Sequence, residues 1–131
     1  MARKHRIVKD PRATRVVREL VSRLGLSHIK LSNVVVVRNL DSRSPAYARI
    51  HALPRPIMIG FDLEPLYAIE IIQQRFENLD CEAKIRVLVH ELLHIPRSFS
   101  GGLLPHRDSV FSRIDDLVKS LEYEDLCSLL S

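Results

Sequence analysis

Tryptophan is absent, methionine occurs only at Met1 and Met58, and the chain has four glycines and two cysteines. Cys81 and Cys127 lie far apart and neither belongs to a C-x-x-C pair, which excludes a disulfide framework and a cysteine zinc knuckle. Both are expected to pack as small hydrophobes in a reducing cytoplasm, with a bond between them as the alternative. No apolar run approaches the length of a membrane span. The N-terminus, Met1-Ala2-Arg3-Lys4-His5-Arg6, lacks the apolar stretch of a signal peptide, so the expected location is cytoplasmic. Repeats and low-complexity segments are missing too. With 46% apolar content in 131 residues, the expectation is one compact domain spanning 1–131.

Acidic residues are scarce in the first part of the chain. Residues 1–55 carry 13 basic and 3 acidic side chains, whereas 56–131 carry 7 and 13. On the first predicted helix, Arg12, Arg15, Arg18 and Arg23 project opposite the apolar face. They form either a surface for nucleic acid or an acidic partner, or a solvated face balanced by the acidic half. The lack of any accompanying nucleic-acid-binding motif favours the second reading.

The most informative stretch is Val89-His90-Glu91-Leu92-Leu93-His94, followed by a glycine turn and Pro105-His106. On a helix, His90 and His94 sit about 40° apart around the axis and about 6 Å apart along it, so two ring nitrogens can reach one tetrahedral metal ion. Glu91 between them is the residue type that takes a proton from an attacking water. This is the H-E-x-x-H arrangement of zinc peptidases. With six histidines and eight glutamates in the chain, chance supplies roughly 0.02 such matches, so local context has to support the motif. Ile85, Leu88, Val89, Leu92 and Ile95 form an apolar stripe at helical spacing, roughly opposite the two histidines. Asp80 suits the N-cap, Glu82 suits the positive helix end, and Pro96 stops the helix near Ile95.

Catalytic zinc usually has three protein ligands and one open position. His106 is the first choice for the third, because Gly101-Gly102 permits a reversal that returns the chain over the helix. Asp108 is an alternative, although it precedes the amphipathic run Val110, Phe111, Ile114, Leu117, Val118 and Leu121 and suits that helix's N-cap. Glu70 is a further candidate.

The rest of the chain reads as α+β. Asp10-Pro11 opens a helix that ends near Leu24-Gly25, with Val16, Val17, Leu20, Val21 and Leu24 as its apolar face. Ile29 to Arg38 reads as a buried strand, and Asp41 to Pro45 as a turn. Strands are expected around Tyr47 to Ala52, Ile57 to Phe61 and Leu66 to Ile72. A helix, about four strands in a mixed sheet, the motif helix and a closing helix make up the predicted domain.

His90-Glu91-Leu92-Leu93-His94-Ile95-Pro96, with Ser98-Phe99-Ser100-Gly101-Gly102-Leu103 and Pro105-His106, resembles a family of small proteins from archaea and phages assigned as metallopeptidases. The resemblance extends upstream through Tyr67-Ala68-Ile69-Glu70 and Arg75-Phe76. It implies a minimal zincin fold, distantly similar to SprT-like proteases, with His90, His94 and His106 on zinc and Glu91 as general base. The gap from His94 to His106 is longer than in metzincins, and no methionine turn is recognisable. Deformylase-type enzymes share H-E-x-x-H but take a cysteine from an upstream strand, and none is suitably placed here. Small zinc proteins of rRNA maturation lack the glutamate and have a shorter gap to the third histidine.

The function expected from the sequence is zinc-dependent hydrolysis of a protein or peptide substrate. A non-proteolytic zinc protein, or a zinc hydrolase acting on nucleic acid through the basic half, is the alternative. His51, Tyr67, Arg97, Arg107 and Tyr123 are candidates for a second oxyanion donor. A strand near Leu66 to Ile72 is expected at a sheet edge, where an extended substrate could pair.

Overall fold

The computed structural model describes residues 6–131; the basic residues Arg3, Lys4 and His5 lie outside the described part. The first elements are β1 (Ile7–Lys9) and α1 (Pro11–Arg23). Asp10 caps α1 by accepting from the Ala13 N–H at 2.9 Å, and Pro11 occupies the first helical position, where no amide is needed. At the other end, the Leu26 N–H reaches the Val21 carbonyl at 3.0 Å and the Gly25 N–H reaches that of Ser22 at 3.2 Å. Gly25 supplies the left-handed φ of +66° that this double closure requires.

A 3-10 turn over Leu31–Asn33 leads into β2 (Val34–Asn39), so the strand starts five residues later than the sequence suggests. Then come β3 (Ala48–Ala52), α2 (Arg55–Gly60), β4 (Tyr67–Ile72), the short α3 (Gln73–Phe76), α4 (Cys81–Leu93) and α5 (Ile114–Lys119). A 3-10 turn over Ser109–Arg113 precedes α5, and another over Glu124–Leu129 follows it. The architecture is the expected α+β arrangement: an N-terminal helix, a four-stranded mixed sheet and C-terminal helices, consistent with a small zincin-like domain.

The sheet order is β1-β2-β4-β3, with β2 and β4 parallel and both outer pairs antiparallel. Side chains alternate across the sheet. Val34, Val36, Ala48, Tyr67, Ile69 and Ile71 are buried on the face where α1 meets β2 and α4 meets β3. Val35, Arg49 and His51 are exposed on the other face.

Three expectations need correction. The strand expected over Ile57 to Phe61 is the helix α2, whose Met58 and Phe61 N–H groups reach the carbonyls of Pro54 and Ile57. Pro54 and Pro56 set φ values suited to a helix start, and this outweighs the β-branched alternation of Ile57 and Ile59. The stretch Leu66 to Ile72 is no edge: β4 is paired on both sides, and the edge is β3. Cys81 and Cys127, 46 residues apart, form a disulfide with Cα atoms 5.7 Å apart. The closing 3-10 turn folds back along α1, and Lys84 donates to the Leu130 carbonyl at 3.2 Å, which brings the chain's end to the start of α4.

Candidate metal centre

Three elements of local chemistry place the motif. Asp80 caps α4 by accepting from the Ala83 N–H at 2.8 Å, and Glu82 occupies the first turn. Ile85, Leu88, Val89 and Leu92 are fully buried on the apolar side of α4. The helix ends at Leu93 with His94 as C-cap, because Pro96 cannot continue it.

The chain then turns sharply. The Phe99 N–H closes a turn onto the Pro96 carbonyl at 2.9 Å, with Phe99 in the left-handed region at φ +47° and Gly101 at φ +98°. A side chain at Gly101 would also meet the Met58 thioether at 3.3 Å, so both backbone angle and space call for glycine there. The Tyr67 hydroxyl pins this loop to β4, accepting from the Gly101 N–H and donating to the Gly102 carbonyl, each at 3.0 Å. The returning segment is then held by His94 itself. The Leu104 N–H donates to the His94 carbonyl at 2.7 Å, and His94 Nδ1 lies 2.6 Å from the Leu104 carbonyl. That bond keeps the proton on Nδ1, which donates it to the carbonyl, and leaves Nε2 with the free lone pair.

His106 arrives beside the two helix histidines. Ligand nitrogens of His90, His94 and His106 all lie within 4.8 Å of one another. Ring centroids are 5.1 Å apart for His90 and His94, 5.2 Å for His90 and His106, and 4.6 Å for His94 and His106. Phe111, from the 3-10 turn before α5, lies against all three rings at 4.8, 4.6 and 5.9 Å. Burial holds His90 below the usual imidazole range, with the neighbouring His94 and His106 adding to the effect. His94 is lowered by burial too, partly offset by its Leu104 bond. Both shifts favour the neutral imidazole, the form that binds a metal. The donor set could hold a borderline metal ion: three imidazole nitrogens converge, with one ring orientation fixed by a backbone carbonyl.

Glu91 points toward β3 and is 7% exposed. Burial pushes its carboxyl up to about 7, while the Ile50 N–H works in the opposite direction. Ile50 is a position whose backbone faces away from β4. The ladder bonds Tyr47 to Ile72 and Leu53 to Leu66, so Ala48, Ile50 and Ala52 turn their N–H and C=O groups to the open edge. The open edge of the sheet therefore passes directly over Glu91.

The other candidates fall elsewhere. Glu70, 4% exposed, lies on the opposite face of the sheet, where it accepts from Asn39 at 2.8 Å, Arg49 at 3.0 Å and His51 at 2.7 Å. This removes both Glu70 as a ligand and His51 as an oxyanion donor. Asp108 caps the 3-10 turn by accepting from the Val110 N–H at 3.0 Å. The Tyr67 hydroxyl is committed to the loop, and Tyr123 sits among Glu82, Glu124 and Asp80 at the far end of α4. Arg97 and Arg107 are exposed. Phe111 and the Leu104 carbonyl were not singled out by sequence. A proline-histidine pair just after a glycine reversal is the one signal pointing to the latter.

The basic face of α1 is largely engaged within the fold. Arg12 donates to the Ser128 carbonyl, Arg18 to that of Val34 at 3.3 Å, and Arg23 pairs with Asp125 at 2.7 Å and Glu19 at 3.2 Å. Nothing in this arrangement supports a nucleic-acid partner. Among the described residues, no helix is long and apolar enough to cross a membrane.

The chain matches the family described as "Putative phage metallopeptidase" over residues 5–128, and it belongs to that family. No curated protein and no solved structure matches it.

Proposed function

We propose that this family member is a zinc-dependent peptidase whose residues 1–131 work as one domain, with His90, His94 and His106 as ligands and Glu91 as general base. The observation that carries the reading is the convergence of three imidazoles beside a buried carboxylate that stands outside their cluster. A purely structural site would have no use for that carboxylate. Zinc, when bound, supplies Lewis acidity: it acidifies the attacking water and polarises the scissile carbonyl.

The chain's own groups do the rest. Glu91, raised to about 7 by burial, is matched to accepting a proton from water near neutral pH and passing it to the leaving amine. The Leu104 carbonyl keeps His94 in one tautomer, so its Nε2 stays available. The outward N–H and C=O groups of Ala48 and Ala52 offer backbone pairing to an extended peptide. An extended chain held there lies across Glu91.

The test is metal content together with cleavage of denatured casein by the zinc-loaded protein and by Glu91→Gln. We expect one zinc per chain in both, and loss of hydrolysis by about 100-fold or more in the variant, the range for removing a general base. Wild-type protein that retains no metal, or a Glu91→Gln form that cleaves at the wild-type rate, overturns the reading.

A further inference from the structure

Beside the histidines, a pocket of about 370 Å³ opens between β3, α4 and α5, lined by Tyr47, Ala48, Arg86, Val87, His90, Glu91 and Ile114. Its size falls in the range of small-ligand sites, about 300–1,000 Å³. Three features define what it can hold. Its walls are apolar: Ala48 from the edge strand, Val87 one helical turn before Glu91, and Ile114 at the start of α5. The cation on its rim, Arg86, already donates to Asp115. Its floor is the pair His90 and Glu91, so whatever enters lies next to the reacting bond.

We infer that this pocket selects the substrate: it takes an uncharged, apolar side chain such as leucine, methionine or phenylalanine from a residue flanking the scissile bond. The inference rests on the peptidase reading and deepens it. A peptide paired to the outward groups of Ala48 projects alternate side chains toward α4, and the first cavity those side chains meet is this one. An apolar side chain is buried against Ala48, Val87 and Ile114, whereas a charged one loses its hydration against the same walls. Val87 sets the depth on the helix side and Ile114 sets the width.

The experiment digests a mixture of unstructured peptides with the zinc-loaded full chain and reads the cut sites by mass spectrometry. Leucine, methionine or phenylalanine should be enriched about tenfold or more over aspartate, glutamate and lysine at one flank of the cut, as expected when a few methylenes are buried in a fitted pocket. Val87→Phe, which fills the pocket, should move the preference to alanine and glycine. Ile114→Ala, which widens it, should move the preference to phenylalanine and tyrosine. Zinc content is measured for both, and a shift in either zinc-loaded variant supports the assignment. Cutting without enrichment at either flank, or a wild-type profile in both variants, overturns the pocket and leaves the peptidase reading standing. Absence of any cutting by the wild type overturns both.

Discussion

His94 and Leu104 exchange two hydrogen bonds, one from each backbone or ring donor to the other's carbonyl, at 2.7 and 2.6 Å. A residue proposed as a ligand therefore also clamps the loop that delivers His106. The two histidines should then behave differently on substitution. His106 is exposed and has no such duty. His106→Ala should leave apo stability within about 0.5 kcal/mol of wild type while abolishing tight zinc binding. His94→Ala should lose the metal and also destabilise the apo protein by about 1 kcal/mol, because the partly buried Leu104 carbonyl loses its partner. Thermal unfolding of the apo forms, with zinc titrations alongside, checks both outcomes.

Phe111 touches all three imidazoles and carries no polar atom, so its contribution is to hold the rings in place. Phe111→Ala should weaken zinc binding by about tenfold, at the low end of what supporting residues around a metal contribute. Phe111→Leu should recover most of that loss. Cobalt substitution provides the readout: the visible bands of the tetrahedral ion should weaken in the alanine variant and return in the leucine one.

Ala52 turns its N–H away from β4, toward the open edge. Proline is tolerated at such a position, so Ala52→Pro should leave fold and zinc content intact. It removes one donor from the surface proposed to pair with substrate. KM should rise by about three- to tenfold with kcat little changed, since backbone pairing contributes binding and not chemistry. An unchanged KM would remove β3 from the substrate site.

The Glu70 carboxyl illustrates how partners can overcome burial. Burial alone raises it, but donors from Arg49, Asn39 and His51 reverse that and hold it at about 2, against an ordinary 4.5. A carboxyl depressed on folding contributes stability that is present in full above its unfolded value and is lost as pH falls through its folded value. The window therefore runs from about 4.5 down to about 2. The contribution is on the order of 3 kcal/mol at neutral pH. In Glu70→Gln this component of the acid-induced fall should vanish, which denaturant melts at pH 6, 4 and 3 would reveal.

The legible parts of this chain were those written in short-range signals. Asp10-Pro11 and Gly25 bracket α1, and Asp80 and Pro96 bracket the motif helix, because caps and breakers act within one turn. His90, Glu91, His94 and His106 lie within a single stretch, so their meeting required only one reversal. The misread parts depend on distant partners. β1 is three residues long and wholly exposed, so it has no burial pattern to detect. The edge position expected for Leu66–Ile72 fails because strand order is set by segments far away in the chain: β2 and β3 pair with β4 on either side. Phe111 looked like one more apolar residue of a closing helix, because its neighbours in space come from another segment. The bond between Cys81 and Cys127 has the same origin.

The hydroxyl of Tyr67 acts on the loop through both its proton and its lone pair, from a strand buried in the middle of the sheet. Moving residues 81–111 onto a foreign helix would thus transplant the three histidines without the template that shapes the loop between them. A working graft would have to bring β4, and with it α2, whose Met58 thioether lies where a side chain at Gly101 would go. The smallest transferable unit is the sheet together with α2 and α4.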